Sequence, residues 1–570
     1  MRSSPNPPLW LCILILLALA VPSHAVGIAR FSDIDEPFWI TNGSNFYYAL
    51  THRDFKNTVY EYHPGVTTTW VVAAGMLTTF PEYRGFGQGY FDPYKWKFEE
   101  FMRSKGQDPL VLVRISRLFQ TAVLLLFAVI LFLLLQLLVD RVLALAAVLL
   151  AFNAPFYLGH SRLLNNEGML AIFVTVSVLA MLVYLQRGRR LRYLLLSGIC
   201  FGLAQLTKSP SILVVGVVGL MLLVDLISRR GERTPGSRLL ETVKGLALWL
   251  GSAGLVYVLL WPGMWVDPTR MLYEVYGNAF SYAFQGARLD VTGDLQPAAF
   301  SLNTALSGEL THLIRLALRS TPLTWMGFLL AVAALFFAPL ERPSRSLVVW
   351  LGLTAALFIL LFGLAQGRDS PHYILTSFFC LDLIAGLGWG FGLTWLLRRW
   401  KPLHSGAVRL VGLGLLVLAQ IAAGLPYFPY YYTYPNPLLA RTSANVAPGY
   451  GEGLDLAAHY LAAKQDAKGL RAFVYNGMGT FSYFFPGRVE VLKRQYFLPE
   501  DMSGVIQGMR WSEYLVVYTA AMQNLPEAAP FLNALESVQP EKIFMLYGRE
   551  YVRVYRSADI PNPVYKELEK

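Results

Sequence analysis

The chain has 570 residues, of which 55% are hydrophobic and only 15% charged, and it carries a net charge of +11. Soluble proteins hold roughly 25% charged residues, and a soluble chain this rich in Leu, Val, Phe and Trp would not stay in solution. A large cytosolic enzyme, a disordered chain and a fibrous one are excluded, which leaves a polytopic membrane protein.

A bilayer core about 30 Å thick needs about 20 apolar residues per helix. In chain order the apolar runs predict about eleven spans, over roughly 9–28, 110–138, 142–159, 169–186, 193–207, 210–228, 240–261, 321–340, 347–366, 372–397 and 407–426. The first run reads either as a secretory signal ending near Ser23-His24-Ala25 or as a retained helix, and the many later spans favour retention. Arginine clusters orient the set. Arg187, Arg189, Arg190 and Arg192 share one short loop, and Arg229, Arg230, Arg233 and Arg238 a second; Arg342 and Arg345 mark a third, and Arg398, Arg399 and Lys401 a fourth. With Arg2 in the cytoplasm, alternation puts all four clusters inside, as the positive-inside rule expects. The net positive charge then belongs to inner loops, and no nucleic-acid partner is needed to explain it. Cys12, Cys200 and Cys380 all lie in apolar runs, which gives no disulfide framework and no CxxC metal site. The eight histidines contain no HxxxH pair.

Three long segments then face the outer side: about 29–109, about 262–320, and everything after about 427. The first interleaves aromatics with charges (Phe38, Trp39, Phe46, Tyr47, Tyr48), as a folded layer hugging the membrane interface would. The last has the composition of a soluble α/β domain. Gly453–Lys464 reads as an amphipathic helix, Arg471–Tyr475 and Val489–Leu492 as strands, Tyr514–Tyr518 as a buried strand, Pro530–Val538 as a helix and Lys542–Tyr555 as a closing hairpin. The division is a membrane domain over 1–428 and a soluble extracytoplasmic domain over 429–570.

Ionisable residues at helix ends or at membrane depth default to a functional hypothesis. Asp33-Ile34-Asp35-Glu36-Pro37 puts three carboxylates in four residues just after the first span. They repel unless a cation or a proton offsets them; the plain reading is a solvated helix N-terminus before a proline. Glu61 and His63 stand just before Pro64-Gly65, as a converging pair or as part of an ordinary turn. Ser161-Arg162 with Glu167 sits between spans three and four, and Thr207-Lys208-Ser209-Pro210 between two short spans, where Lys208 is expected to lie slightly inside the membrane and snorkel outward. Arg368-Asp369-Ser370-Pro371-His372-Tyr373 closes the series. All five clusters fall on one face, which suits an anionic substrate held there with a carboxylate left for proton chemistry.

The ordered series resembles the GT-C fold glycosyltransferases, in the branch of the protein O-mannosyltransferases and the bacterial aminoarabinose-to-lipid A transferases, commonly called family 39. Asp35-Glu36 is similar to that branch's first-loop acidic motif, and Tyr62-His63-Pro64-Gly65-Val66 to its second motif. Ser161-Arg162 with Glu167 resembles its Ser-Arg followed five residues later by an acid, and Gly202-Leu203-Ala204-Gln205-Leu206-Thr207-Lys208-Ser209-Pro210 its Gly-Leu-Ala-x-Leu-Thr-Lys-x-Pro signature. Arg368–Leu375 matches a segment with a basic residue shortly before a Tyr, and Tyr450-Gly451-Glu452-Gly453-Leu454 a Trp-Gly-Glu-Gly segment of bacterial members. Two residues depart from the pattern: the third acid is Glu167 rather than Asp, and Gly65 stands where a second Pro is usual.

The resemblance implies a polytopic α-helical membrane protein of GT-C type with a C-terminal α/β extracytoplasmic domain. It implies an integral protein of the plasma (inner) membrane whose active site faces the outside or the periplasm. Such enzymes move a sugar from a polyprenyl-phosphate carrier to a lipid, glycan or protein acceptor, with inversion. Asp35 is then the base, with Glu36 supporting it. His63, Arg162, Lys208, Arg368 and His372 are the donor- or phosphate-binding candidates, and Asp33, Glu61 and Glu167 the acceptor or supporting ones. A divalent metal ion is left open, with Glu61 and His63 as its candidate ligands. The rival reading is a multispan transporter or lipid-binding protein, which predicts charges near the bilayer midplane and broken helices there. Asn42-Gly43-Ser44 would be a glycosylation acceptor in a eukaryote, and its place beside the acidic motif favours a bacterial source.

Overall fold

The computed structural model describes residues 7–229, 234–277, 302–365, 370–399, 406–439, 449–497 and 501–569. α1 (Leu9–Ala25) is followed by two helices of the first long loop, α2 (Glu36–Thr51) and α3 (Val66–Thr79), and by the short amphipathic α4 (Lys97–Ser104). α5 (Pro109–Leu135) opens with Pro109 at its first turn and Asp108 accepting from the Leu110 amide at 2.9 Å, a well-formed start. α6 (Arg141–Phe152) is capped by Asp140, which accepts from Leu143 N at 3.1 Å. It breaks at Asn153-Ala154, and Pro155 starts α7 (Pro155–Ser161), bent from α6 by 66°.

α8 (Glu167–Gln186) and α9 (Leu191–Thr207) are the hairpin on which the site hangs. A helix of 20 residues is about 30 Å long, so Arg187–Arg190 lie at the end of α8 opposite Glu167. There Gly188 and Arg189, both at positive φ, turn the chain, and α9 returns it to Lys208 beside Glu167. At the arginine end Arg189 and Arg229 pair with Asp225 and Glu241. α8 is apolar on every side because it is surrounded: 94% of its apolar window is buried, against 22% for α11 (Pro235–Leu260), whose leucines face outward.

The described remainder of the bundle is α10 (Leu213–Ser228), α12 (Leu302–Arg319), α13 (Pro322–Phe337), α14 (Arg342–Leu364), α15 (Leu375–Arg399) and α16 (Gly406–Gly424). Among the described residues seven helices are long and apolar enough to cross a membrane, or up to nine if each of two bent pairs is one span. The eleven-span expectation is reached by adding α1 and α9, which are apolar but have only 17 residues each. The first long loop is the folded, aromatic-rich layer its composition predicted: Trp39, Phe46, Tyr47, Tyr83 and Phe98 are buried in the same core as the spans. Asn42 is 1% exposed, so the Asn42-Gly43-Ser44 sequence is closed to glycosylation in the folded chain.

The C-terminal unit has its own core, from Leu454 to Leu568. α17 (Leu454–Ala462), β1 (Arg471–Tyr475), β2 (Arg488–Leu492), α18 (Met502–Trp511), β3 (Tyr514–Val517), β4 (Lys542–Leu546), β5 (Arg549–Arg556) and α19 (Asn562–Leu568) build a sheet of order β2-β1-β3-β5-β4. β1 is parallel to β2 and β3, and β5 is antiparallel to β3 and β4. The predicted strands and hairpin are all present; α18 and α19 were not foreseen, and the Pro530–Val538 helix is reduced to Ala529–Ala534.

Candidate active site

The acidic motif is held by its own side chains. Asp33 Oδ1 accepts from the amides of Asp35 (3.1 Å) and Glu36 (2.9 Å), which caps α2 one turn ahead of Pro37. Glu36 turns the opposite way, into the protein. Its carboxylate meets Arg117 of α5 at 2.6 Å (Nε) and 2.5 Å (Nη2), and also accepts from Ser32 Oγ (2.8 Å) and from the Asp33 and Leu164 amides (3.1 and 2.8 Å). Arg117 donates further to the carbonyls of Ile28 and Phe31. One buried ion pair thus fixes the loop between α1 and α2 and leaves Asp35 projecting from it.

The other motifs are tied to one another. Gly65 sits at φ +59°, and a Cβ there would stand 2.3 Å from the Trp39 ring, so a turn that closes onto that ring requires glycine. This is the physical content of the departure from the usual second Pro. The Gly65 amide donates to Thr207 O at 3.3 Å, Thr67 and Thr207 hydroxyls meet at 2.8 Å, and His63 Nδ1 lies 3.4 Å from Ser209 Oγ. Thr68 donates to Asn166 Oδ1 at 2.5 Å. Lys208 is not a snorkelling surface group: it is 2% exposed, paired with Glu167, and its ammonium lies 4.7 Å from the centroid of Tyr373. Pairing inside the bundle outweighs reaching for water because the α8–α9 return places a carboxylate within its reach.

Asp33, Asp35, Glu61, His63, Glu167, Lys208 and His372 line one cavity of about 280 Å³. Asp35 faces open space in the cavity while protein surrounds it on the other sides. That surrounding mass pushes its carboxyl up to about 6, with the Glu167 carboxylate adding to the rise and Lys208 opposing it. Burial, then Glu36 and Asp35, hold Asp33 well above the usual carboxylate range. Glu167 Oε2 is buried without a hydrogen-bond partner. Among the described residues the cavity therefore combines a carboxylate poised near neutrality, three further carboxylates, a single lysine, three imidazoles and aromatic walls.

Two predicted residues stand elsewhere. Glu36 does not line the cavity; it acts on Asp35 only by anchoring the loop. Arg162, expected at a phosphate, points away, donating to the carbonyls of Ser23 and Val26 at the end of α1 and lying 5.3 Å from the centroid of Tyr431; the bend between α6 and α7 carries it there. Arg368 lies outside the described residues. Glu61 and His63 gather no third ligand, and among the described residues no group of three or more His, Cys, Asp and Glu side chains is arranged to hold a metal ion. Residues not singled out from the sequence also line the cavity, namely His160, Asn165, Asn166 and, from the C-terminal unit, Met478; Tyr450, quoted above only as part of a matched segment, joins them there. Arg117 was missed as well, although a charge followed by Gln120 inside an apolar span is a signal of its own.

The family model for dolichyl-phosphate-mannose-protein mannosyltransferase matches residues 113–257. No curated protein matches the chain. Among solved structures, ArnT from Cupriavidus metallidurans bound to undecaprenyl phosphate is similar at 13% identity and a TM-score of 0.47, over 96% of this chain and 98% of that one. A protein O-mannosyltransferase complex of S. cerevisiae bound to the sugar donor is similar at 17% identity and a TM-score of 0.35, over 52% of this chain and 38% of that one. The archaeal oligosaccharyltransferase AglB from Archaeoglobus fulgidus, in complex with an inhibitory peptide and a dolichol-phosphate, follows at 11% and 0.45, over 98% and 77%. The segment matched by the family model contains both the Ser161–Glu167 motif and the Gly202–Pro210 signature, and it bears out the resemblance to the protein O-mannosyltransferase branch read from them.

Proposed function

We infer that the chain is a membrane glycosyltransferase that moves one sugar from a polyprenyl-phosphate carrier to an acceptor hydroxyl on the extracytoplasmic side. The observation that carries this reading is the convergence, in one cavity, of residues from five separate stretches of the chain, with a base-competent carboxylate at Asp35 and an ammonium at Lys208. A cavity of about 280 Å³ has room for a monosaccharide. The acceptor oxygen attacks the anomeric carbon and gives its proton to Asp35, which must come within about 3 Å. The bond from that carbon to the phosphate oxygen breaks on the opposite face, so the centre inverts, and the charge left on the phosphate develops toward Lys208. Glu167, paired with Lys208 and electrostatically coupled to Asp35, links the two ends of the reaction. Glu61 and His63 extend the same wall toward the donor.

The test is transfer by the purified full chain from a panel of undecaprenyl-phosphate sugars, wild type against Asp35→Asn. Transfer that falls by about 10²–10⁴, the usual worth of a general base, is expected. Equal transfer by both proteins removes Asp35 from the reaction, and no transfer from any carrier removes the function.

A further inference from the structure

His160 lies in the last turn of α7, one residue before the Ser161-Arg162 motif, and nothing in that motif assigns it a role. It is 2% exposed, lines the cavity, and its Nε2 is buried without a hydrogen-bond partner. Buried polar atoms are nearly always paired, so an unpaired ring nitrogen just beneath the wall, in a residue that lines the cavity, marks a place that a small turn of the ring would offer to a ligand atom. Around it stand Tyr432 (ring centroids 5.4 Å), Tyr450 (5.3 Å, edge-on) and His372 (5.9 Å). Tyr450 is brought by the C-terminal unit. Gly449 and Gly451 at positive φ turn its loop, the Gly451 amide donates to Tyr518 Oη at 3.1 Å at the end of β3, and Tyr518 in turn donates to the buried Glu452. So placed, the Tyr450 hydroxyl hydrogen-bonds His372 Nδ1.

We propose that His160 and Tyr450 form the subsite for the sugar ring of the carrier, a hydroxyl of that sugar bonding His160 Nε2 and a C–H face of the ring lying against Tyr450. The proposal rests on the carrier-dependent transfer inferred above and adds which residues read the sugar. Charge separates this subsite from the phosphate. Among the described residues that line the cavity, Lys208 is the one Lys or Arg. From it the wall runs through Tyr373 (4.7 Å from the ammonium), His372 (centroids 4.3 Å from Tyr373) and only then His160. An uncharged imidazole and a phenol offer donors, acceptors and apolar faces together, which suits a polyol and gives a phosphate anion little.

The experiment measures equilibrium binding of undecaprenyl phosphate, and of its mannosyl, glucosyl, galactosyl and pentosyl esters, to the detergent-solubilised full chain. Wild type, His160→Phe, His160→Gln and Tyr450→Phe are compared, with the thermal midpoint of each variant as the folding control. Wild type is expected to prefer one glycosylated carrier over the bare one. His160→Phe should lose about five- to tenfold of that preference, the worth of one neutral hydrogen bond, with bare-carrier affinity unchanged. His160→Gln, which keeps an N–H and a carbonyl, should retain part of it, and Tyr450→Phe, which keeps the ring face against the sugar, should retain most of it. Equal loss for bare and glycosylated carriers, no loss at all, no preference in wild type, or an effect confined to the acceptor's KM each overturns the subsite. Wild type that binds no carrier of either kind overturns the glycosyltransferase reading, and the subsite falls with it.

Discussion

Asp35 and Glu36 are adjacent carboxylates in opposite surroundings, and neutralising each should therefore injure a different property. Glu36 takes five donors: Arg117 Nε and the Leu164 amide on one oxygen, and Arg117 Nη2, Ser32 Oγ and the Asp33 amide on the other. Whichever way the amide of Glu36→Gln is turned, its NH₂ faces at least two of these donors, and Arg117, itself 2% exposed, loses its counter-charge. Breaking one partner of a buried pair costs about 3–5 kcal/mol. At ~2–4 °C per kcal/mol for domains of 150–250 residues, and less for a longer chain, the thermal midpoint should fall by several degrees. Asp35→Asn removes no hydrogen bond of comparable kind and relieves a carboxylate whose surroundings already hold it up at about 6. Its midpoint at neutral pH should be unchanged or slightly raised. Protonation favours the fold through this group, so the wild type gains on the variant as pH falls from about 6 toward 4, and any gap closes there. The assay is thermal unfolding of both variants in detergent at pH 7.5 and pH 5, alongside transfer activity below the midpoint. Glu36→Gln should melt early yet keep measurable transfer, and Asp35→Asn the reverse. A Glu36→Gln protein that melts with wild type, or an Asp35→Asn protein that melts several degrees early, refutes the division of roles.

Lys208→Met should weaken carrier binding and lower turnover by about 10²–10³, the cost of removing one charge-stabilising donor. Because Lys208 draws the Asp35 pKa down, the alkaline-going rise of the residual activity should move to higher pH. In wild type that rise should be centred near 6, with activity climbing as Asp35 ionises; a rate that falls between pH 5 and 7 contradicts the assignment. Gly65→Ala puts a Cβ 2.3 Å from the Trp39 ring at φ +59°. The left-handed backbone alone costs about 1–2 kcal/mol, and displacing Trp39, which lines the cavity, should lower activity beyond the loss in stability. Arg162→Met should lower the thermal midpoint and leave carrier affinity of the surviving protein unchanged, since its guanidinium serves the end of α1.

What the sequence made legible was periodicity and order. Runs of apolar residues located the long apolar helices among the described residues, and the motif order located Asp35, His63, Glu167 and Lys208, because an antiparallel bundle brings alternate loops to the same end. Two things were not legible. The direction of a side chain at a loop depends on which neighbour claims it first, and Arg117, eighty residues on from the acidic motif, claims Glu36 and not Asp35. The contribution of the C-terminal unit was equally hidden. Tyr450 reaches the cavity only because Tyr518, at the end of a strand nearly seventy residues later, holds its loop in place, and no local pattern carries that information. The break at Asn153-Ala154 turns the chain so that His160 and Asn165–Glu167 reach the cavity wall.

The charge balance of the cavity sets a last expectation. Asp33, Asp35, Glu61 and Glu167 face Lys208 and three imidazoles, His63, His160 and His372. With the carboxylates ionised and the imidazoles neutral, these described side chains sum to a negative charge, yet the inferred ligand brings a phosphate. A glycosylated carrier is a phosphodiester whose single negative charge does not change between pH 5 and 8, so any pH dependence of its binding reports on the protein. Like charges in one site raise each other's affinity for protons, and Asp33 is already held well above the usual carboxylate range by burial and its acidic neighbours. Bringing the phosphate in should therefore draw a proton onto the walls, and carrier affinity should rise as pH falls from 8 toward 5. Turnover needs the opposite, because Asp35 must be ionised to take the acceptor's proton. Binding and chemistry pulling in opposite directions predict a bell-shaped pH profile for kcat/KM, its acid limb near the Asp35 value and its alkaline limb set by carrier binding. Titration of a glycosylated carrier into the Asp35→Asn protein isolates the second limb, since no transfer competes. Affinity that is flat across that range, or that rises with pH, would mean the phosphate does not lie among these carboxylates.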